Sequence, residues 1–192
     1  MRPLVLASSS PYRRELLERL QLRFVCQSPN IDETPRPGED AVSLVKRLAA
    51  AKACALRHQF LQHMIIGSDQ VAVLDGQIIG KPGNRQAAIQ QLQAARGRSL
   101  VFYTGLCLLD SASGQAQVDC VPFTVHFREL SDAQIERYVS KEKPYDCAGS
   151  FKSEGLGISL FRATEGEDAT SLVGLPLIRL CDMLNQAGVV VP

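Results

Sequence analysis

The chain lacks the features that mark several large classes of protein. None of its apolar runs approaches the ~20 residues that a membrane-spanning helix needs. The formal net charge is only +1, without a basic stripe or interleaved aromatics, so nucleic acid is not an expected partner. The nucleophile elbow, the P-loop and the dinucleotide-binding fingerprint are also absent. We therefore expect neither a membrane protein nor a covalent catalyst.

The spacing of the cysteines and histidines indicates neither a metal site nor a disulfide framework. The six cysteines are scattered, without a C-x-x-C pair or a zinc spacing, and the three histidines have no metal spacing. The N-terminus has an early strand pattern rather than the longer apolar core of a secretory signal. Dispersed cysteines without an export signal are typical of a reducing compartment. We therefore expect free thiols and a cytoplasmic location.

Strand and helix signals alternate along the 192 residues, which predicts an α/β fold. There is no internal repeat or long linker, so we expect one domain over 1–192. Predicted strands lie at 4–7, 24–26, 64–66, 71–74, 77–79, 100–109, 117–128 and 158–161. Predicted helices lie at 11–20, 39–60, 84–96, 131–140 and 171–186, the last of them kinked at Pro176 or starting near Leu175.

The first strand is followed by three serines and then by a helix that begins at Pro11. Proline suits the first helical position, and the preceding serine can cap the free amides. Arg13 and Arg14 fall in the first turn, where cations oppose the helix dipole unless an anion is bound. Open amides and guanidinium groups favour a phosphate. A solvated arginine pair is the alternative.

Four further charged residues are candidates for a phosphate or metal site. Asp69 follows a buried strand in Gly-Ser-Asp-Gln, where a carboxylate can hold Mg²⁺ or accept a proton from water. Glu33, in a stiff proline-rich loop, is a second metal-facing candidate. Lys81, in Gly-Lys-Pro, and Lys52, in an alanine-rich helix, can contact phosphate. For each residue, a turn contact or simple solvation is the alternative.

Seven segments, taken in order, resemble the Maf-type nucleotide pyrophosphatases. They lie at 6–14, 32–34, 52, 67–71, 80–82, 103–105 and 147–155. Each segment is short, but the ordered set is specific and covers nearly the whole chain. The resemblance implies an elongated α/β protein of the Maf/ITPase type, with a mixed sheet, flanking helices and two lobes around a central nucleotide-binding cleft. It also implies a homodimer.

The resemblance implies that water attacks a nucleoside triphosphate between its α and β phosphates. The expected cofactor is a divalent cation, Mg²⁺ or Mn²⁺. Asp69 is then the general base or metal-orienting carboxylate, and Glu33 helps to hold the metal. The expected phosphate ligands are Ser8, Arg13, Arg14, Lys52 and Lys81. Because adjacent helical residues point about 100° apart, Arg13 and Arg14 cannot both face the phosphates in the same way.

Positions 70 and 153–155 indicate which base is bound. Members of the family that act on dTTP and UTP usually have Thr in place of Gln70 and Ile-Gln-Gly in place of 153–155. The residues here resemble the branch that hydrolyses 7-methyl-GTP to 7-methyl-GMP and pyrophosphate, which removes modified nucleotides. Glu154 can accept hydrogen bonds from guanine N1–H and N2–H. Tyr12 can face the positively charged methylated base, and Gln70 can donate or accept.

Two alternatives to this reading stay open. One is a dTTP/UTP pyrophosphatase of the same family, and the other is a nucleotide-binding regulator of cell division.

Overall fold

The computed structural model describes residues 2–191 and has the predicted α/β architecture. The strands are β1 (Leu4–Leu6), β2 (Phe24–Cys26), β3 (Met64–Leu74), β4 (Gln77–Ile79), β5 (Ser99–Asp110), β6 (Ala116–Phe127) and β7 (Phe161–Glu165). The helices are α1 (Pro11–Glu18), α2 (Ala41–Ala55), α3 (Arg85–Ala95), α4 (Asp132–Glu142), α5 (Ala169–Val173) and α6 (Leu177–Gln186). Two 3₁₀ turns, Ala148–Ser150 and Leu156–Leu160, precede β7.

The seven strands form one mixed sheet in the order β2-β1-β3-β5-β6-β7, with β4 paired to β3. β1 runs parallel to both of its neighbours, with Leu6 opposite Cys26 and Ile66. β4 is antiparallel to β3, and β7 is antiparallel to β6. Because β1 ends at Leu6 while β3 continues to Leu74, the second half of β3 extends beyond the carboxyl end of its parallel neighbour. Ligands of α/β proteins bind at such strand ends.

The chain divides into two compact units. The first comprises 1–70, 104–121 and 168–192, and the second comprises 71–103 and 122–167. Strands β3, β5 and β6 contribute residues to both units.

Two apolar clusters form the core of the first unit, one on each face of β1 and β3. Alternate side chains of a strand point to opposite faces, so Leu4 and Leu6 join one cluster while Val5 and Ala7 join the other. The first cluster is completed by α1 and α6, and the second by α2. The buried strands of this unit are therefore covered by helices on both faces, as their continuous apolar sequences require.

The core of the second unit contains a cluster of four phenylalanine rings. Phe151 packs edge-to-face against Phe102, Phe127 and Phe161, with ring centroids 5.3, 5.7 and 4.7 Å apart. This is the preferred geometry for aromatic pairs. Strands β5, β6 and β7 supply three of the rings, and the segment after the first 3₁₀ turn supplies the fourth.

Helix α2 lies unusually close to the sheet because two glycines face it. A Cβ atom on Gly67 would collide with the backbone oxygen of Ala49, and a Cβ on Gly105 would collide with that of Val45. Both glycines are inside strands, β3 and β5 respectively. Their missing side chains bring the helix backbone against the sheet. Lys52, one turn after Ala49, is carried onto β3 by the same approach.

The prediction that the buried strand ends at Ile66 is wrong. The 64–66 and 71–74 segments are one strand, β3, which passes without interruption through Gly67-Ser68-Asp69-Gln70. Gly67 resembles a strand breaker in the sequence, but it is there for close packing with α2. Asp69 therefore lies within β3, and the nearby strand end is that of β1.

Three other predicted boundaries are corrected. Helix α2 spans Ala41–Ala55 rather than 39–60. Its start is defined by Asp40, whose side chain caps the first turn by accepting from Ser43 N at 2.9 Å. The strand predicted at 158–161 is a 3₁₀ turn followed by β7; Ile158 is 60% exposed, so its apolar character does not mark a core strand. The last predicted helix is two helices, separated at Gly174, whose φ is +117°.

Several local predictions are confirmed. Ser10 caps α1, Asn84 caps α3, and Ser131 caps α4 in a capping box. Asp75 and Gly76 both have positive φ, as the predicted type I′ turn requires. All six cysteines are free thiols. Within residues 2–191, none of the helices combines the length and apolar character needed to cross a membrane.

We expect Gly67→Ala to destabilise the protein by about 1–3 kcal/mol, the usual cost of overpacking, because the new methyl group meets helix backbone that cannot rotate away. Chemical denaturation measures this effect. Gly80→Ala is the matched control, since nothing lies within 4 Å of a Cβ at that position. Equal stability of the two variants would contradict the role given to Gly67.

Candidate functional site

The first unit brings three of the predicted site residues into one cluster. The Lys52 ammonium lies 2.6 Å from Asp69 Oδ1 and 3.1 Å from Glu33 Oε1. The side chains of Lys52 and Asp69 are only 8% and 9% exposed, whereas Glu33 is 57% exposed. A buried lysine requires a charged partner, so Lys52 is not the solvated helical lysine of the alternative reading.

Three different elements position this cluster. Lys52 comes from α2, Asp69 from the middle of β3, and Glu33 from the loop between β2 and α2. Residues 65, 67 and 69 of β3 share the face that α2 covers, because strand side chains alternate. The close approach at Gly67 therefore brings Lys52 to Asp69.

Arg13 and Arg14 have different environments. Arg13 is partly buried, and its Nε donates to the Gly174 carbonyl at 2.8 Å, which uses one of five guanidinium N–H groups. Burial lowers the pKa of Arg13, and the carboxylates of Asp69 and Glu33 oppose that change. Arg13 therefore lies within electrostatic reach of the cluster.

Arg14 instead lies on the outer face of α1. Its side chain is 63% exposed, and Nε donates to Glu18 Oε1 at 3.0 Å, one turn along the helix. The pKa of Arg14 is raised, mainly by this hydrogen bond.

Ser8 and Tyr12 flank the start of α1. Ser8 is buried just beyond β1, and its Oγ accepts from Ser10 N at 3.1 Å, so it shapes the loop. Tyr12 is partly exposed within α1.

Gln70 lies on the opposite face of β3 from Asp69. Its Nε2 donates to Thr104 Oγ1, to Ser171 O and to Leu172 O at 3.0, 2.7 and 3.1 Å. An amide nitrogen has only two hydrogens, so these three oxygens already use its donor capacity. What Gln70 can still offer a ligand is its carbonyl oxygen.

Ser68 and Thr104 support the site, although no role was assigned to either from the sequence. Ser68 Oγ lies 2.9 Å from both the Gly105 and the Gly174 carbonyl oxygens, and Thr104 Oγ1 donates to Ser171 O at 2.9 Å. These contacts attach α5 and Gly174 to the sheet, and Gly174 in turn holds Arg13. The available signal was a polar side chain at a buried position of an apolar strand, since such a group needs an internal partner.

The remaining candidates, Lys81 and Glu154, belong to the second unit. Lys81 is exposed after β4, next to buried Pro82. Glu154 is exposed in the turn before Leu156–Leu160, and its Oε2 accepts from Ser153 Oγ at 2.9 Å. Their predicted roles toward phosphate and base remain predictions.

The donor set of Glu33 and Asp69 suits Mg²⁺ or Mn²⁺, which prefer carboxylate oxygens. Both carboxylates already converge on a single cation, the Lys52 ammonium. Within residues 2–191 no group of three or more His, Cys, Asp or Glu side chains could hold a metal. Remaining ligands would thus be phosphate oxygens and water, which is the usual way that Mg²⁺ is held beside a nucleotide.

Comparison with known proteins decides the family. The family profile described as "Maf-like protein" matches residues 3–187. The chain belongs to the Maf family. It is 66% identical over the full length of both chains to a Pseudomonas aeruginosa protein named 7-methyl-GTP pyrophosphatase. A protein of the same name from Alcanivorax borkumensis is 58% identical, over 98% of this chain and 96% of its own.

The fold of this Maf family member is also similar to a solved structure. The Staphylococcus aureus Ham1 protein matches with a TM-score of 0.50 and 14% identity, over 80% of this chain and 88% of that one. At this identity the likeness concerns the fold alone, and it agrees with the Maf/ITPase-type architecture expected from the sequence.

Proposed function

We propose that this Maf family member is a nucleoside triphosphate pyrophosphatase that converts 7-methyl-GTP and water to 7-methyl-GMP and pyrophosphate. The observation that carries the proposal is the convergence of Glu33 and Asp69 on one cation beside Arg13. Full-length relatives with the name 7-methyl-GTP pyrophosphatase support the choice of substrate. Removal of modified nucleotides, a cytoplasmic location and a homodimer belong to the same proposal.

Each residue of the cluster has a separate role in the proposed hydrolysis. Asp69 accepts the proton of the attacking water, and Arg13 binds the triphosphate through the N–H groups that Gly174 leaves available. Glu33 and Asp69 hold the divalent cation, and Lys52 contacts phosphate. A bound Mg²⁺ or Mn²⁺ supplies neutralisation of phosphate charge. Lys81 and Ser8 complete the proposed phosphate ligands.

Base recognition is assigned to Glu154, Tyr12 and Gln70. The Glu154 carboxylate accepts from the N1–H and N2–H groups of guanine, and it also attracts the positive charge of the methylated ring. Tyr12 offers an aromatic face to that charge. Gln70 contributes through its carbonyl oxygen, since its N–H groups hold α5 and Thr104.

A panel of triphosphates tests the function directly. We expect pyrophosphate release from 7-methyl-GTP, above GTP, dTTP, UTP, CTP and ATP, and only with Mg²⁺ or Mn²⁺. Asp69→Asn should abolish turnover, because the amide cannot accept the water proton. Preference for dTTP or UTP would contradict the proposed base recognition but not the proposed reaction. Absence of release from every triphosphate would refute the enzyme and favour a nucleotide-binding regulator.

Substitution of the two arginines tests the phosphate assignment. We expect Arg13→Met to lower kcat/KM by roughly 10- to 100-fold, since hydrogen bonds to charged groups contribute about 1.5–3 kcal/mol. Arg14→Met removes the same charge from the outer face of α1 and should have the smaller effect. Steady-state kinetics with 7-methyl-GTP make the comparison, and a larger loss for Arg14→Met would reverse the assignment.

Glu154→Gln tests the base contact. We expect kcat/KM for 7-methyl-GTP to fall roughly tenfold or more, because one charge-assisted acceptor is lost, while the reaction itself is retained. Glu136→Gln is the matched control, since Glu136 is an exposed carboxylate of the same unit that pairs with Arg85 at 3.8 Å. If the order of preferred substrates is unchanged in Glu154→Gln, Glu154 does not read the base.

A further inference from the structure

The Lys52 ammonium lies between the two carboxylates that are proposed to hold the divalent cation. It is 2.6 Å from Asp69 and 3.1 Å from Glu33, and it is almost completely buried. An ammonium ion and a divalent cation compete for the same carboxylate oxygens. While Lys52 keeps both contacts, these oxygens already have a cationic partner.

The charges of the site also balance without a metal. Glu33 and Asp69 contribute two negative charges, and Lys52 and Arg13 contribute two positive charges within electrostatic reach of them. Divalent cations in proteins are held by an excess of carboxylate charge or by substrate phosphates. The cluster of these four residues therefore has no net negative charge to attract Mg²⁺ or Mn²⁺.

We propose that Lys52 keeps the divalent cation out of the nucleotide-free enzyme, so that the cation enters only together with the triphosphate. The inference rests on the proposed function, because the triphosphate supplies both the missing negative charge and additional metal ligands. Phosphate oxygens also give the Lys52 ammonium new acceptors. A lysine has a flexible stem and a compact charge, so its amine can change partners without a movement of α2.

Direct titration of Mn²⁺ into nucleotide-free protein, followed by electron paramagnetic resonance, tests the inference. We expect no saturable binding by the wild-type protein below about 1 mM, the range of weak cation sites. Lys52→Met leaves two carboxylates without their cation, so it should bind one Mn²⁺ at least about tenfold more tightly. In the same variant, Mn²⁺ should raise the melting temperature, because it binds only the folded state.

Lys46→Met is the matched control. Lys46 is on the same helix and loses the same charge, but its electrostatic neighbours are Asp119 and Cys120. The Lys46→Met substitution should leave the affinity for Mn²⁺ at the wild-type level. Tight Mn²⁺ binding by the nucleotide-free wild-type protein would overturn the inference. Folded Lys52→Met protein without a gain in affinity would also overturn it.

Removal of one partner from a buried ion pair is strongly destabilising, so Lys52→Met could fail to fold. In that case, Mn²⁺ binding is measured on the wild-type protein, with and without an α,β-methylene analogue of the triphosphate that cannot be cleaved. Protein-bound Mn²⁺ should be detected with the analogue and not without it. Binding that is equal in both conditions would overturn the inference. These titrations need no turnover, so their failure is distinct from absence of pyrophosphate release.

Discussion

The buried ion pair between Lys52 and Asp69 is the constraint on which the site depends. Two charged groups with so little exposure are tolerated only because each satisfies the other. That pairing requires α2 to lie against β3, which Gly67 and Gly105 allow by having no side chain. The same helix carries the apolar residues of one core cluster. The packing of α2 in the first unit therefore also brings Lys52 to Asp69.

A neutral but highly charged cluster is well suited to bind a polyanion with its counter-ion. The proposed function assigns phosphate to Lys52 and Arg13, and the divalent cation to Glu33 and Asp69. The cluster has no surplus charge that favours either ligand alone. A triphosphate with its bound cation presents both signs of charge and can contact both pairs of residues, which agrees with the proposed hydrolysis of a metal-bound triphosphate. The Arg13 side chain is held by its hydrogen bond to the carbonyl of Gly174, which is distant in the sequence.

Sequence patterns were most reliable where the physical cause is local. Caps such as Ser10 and Ser131 and the Asp75-Gly76 turn depend on neighbouring residues, and all three are confirmed. The pattern at Gly67 was misread, because the same residue suits a break in a strand and the close approach of a helix. Only the backbone of Ala49, supplied by tertiary packing, distinguishes these two causes.

The α/β class, the family and the set of charged residues available for chemistry can all be predicted from the sequence. It could not determine which of them meet, because Glu33, Lys52 and Asp69 come from separate elements and no short-range rule relates them. Nor could it separate Arg13 from Arg14, or show that the Gln70 amide is already bonded to α5. These contacts follow from tertiary packing, since the position of a side chain depends on how helices and strands pack against one another.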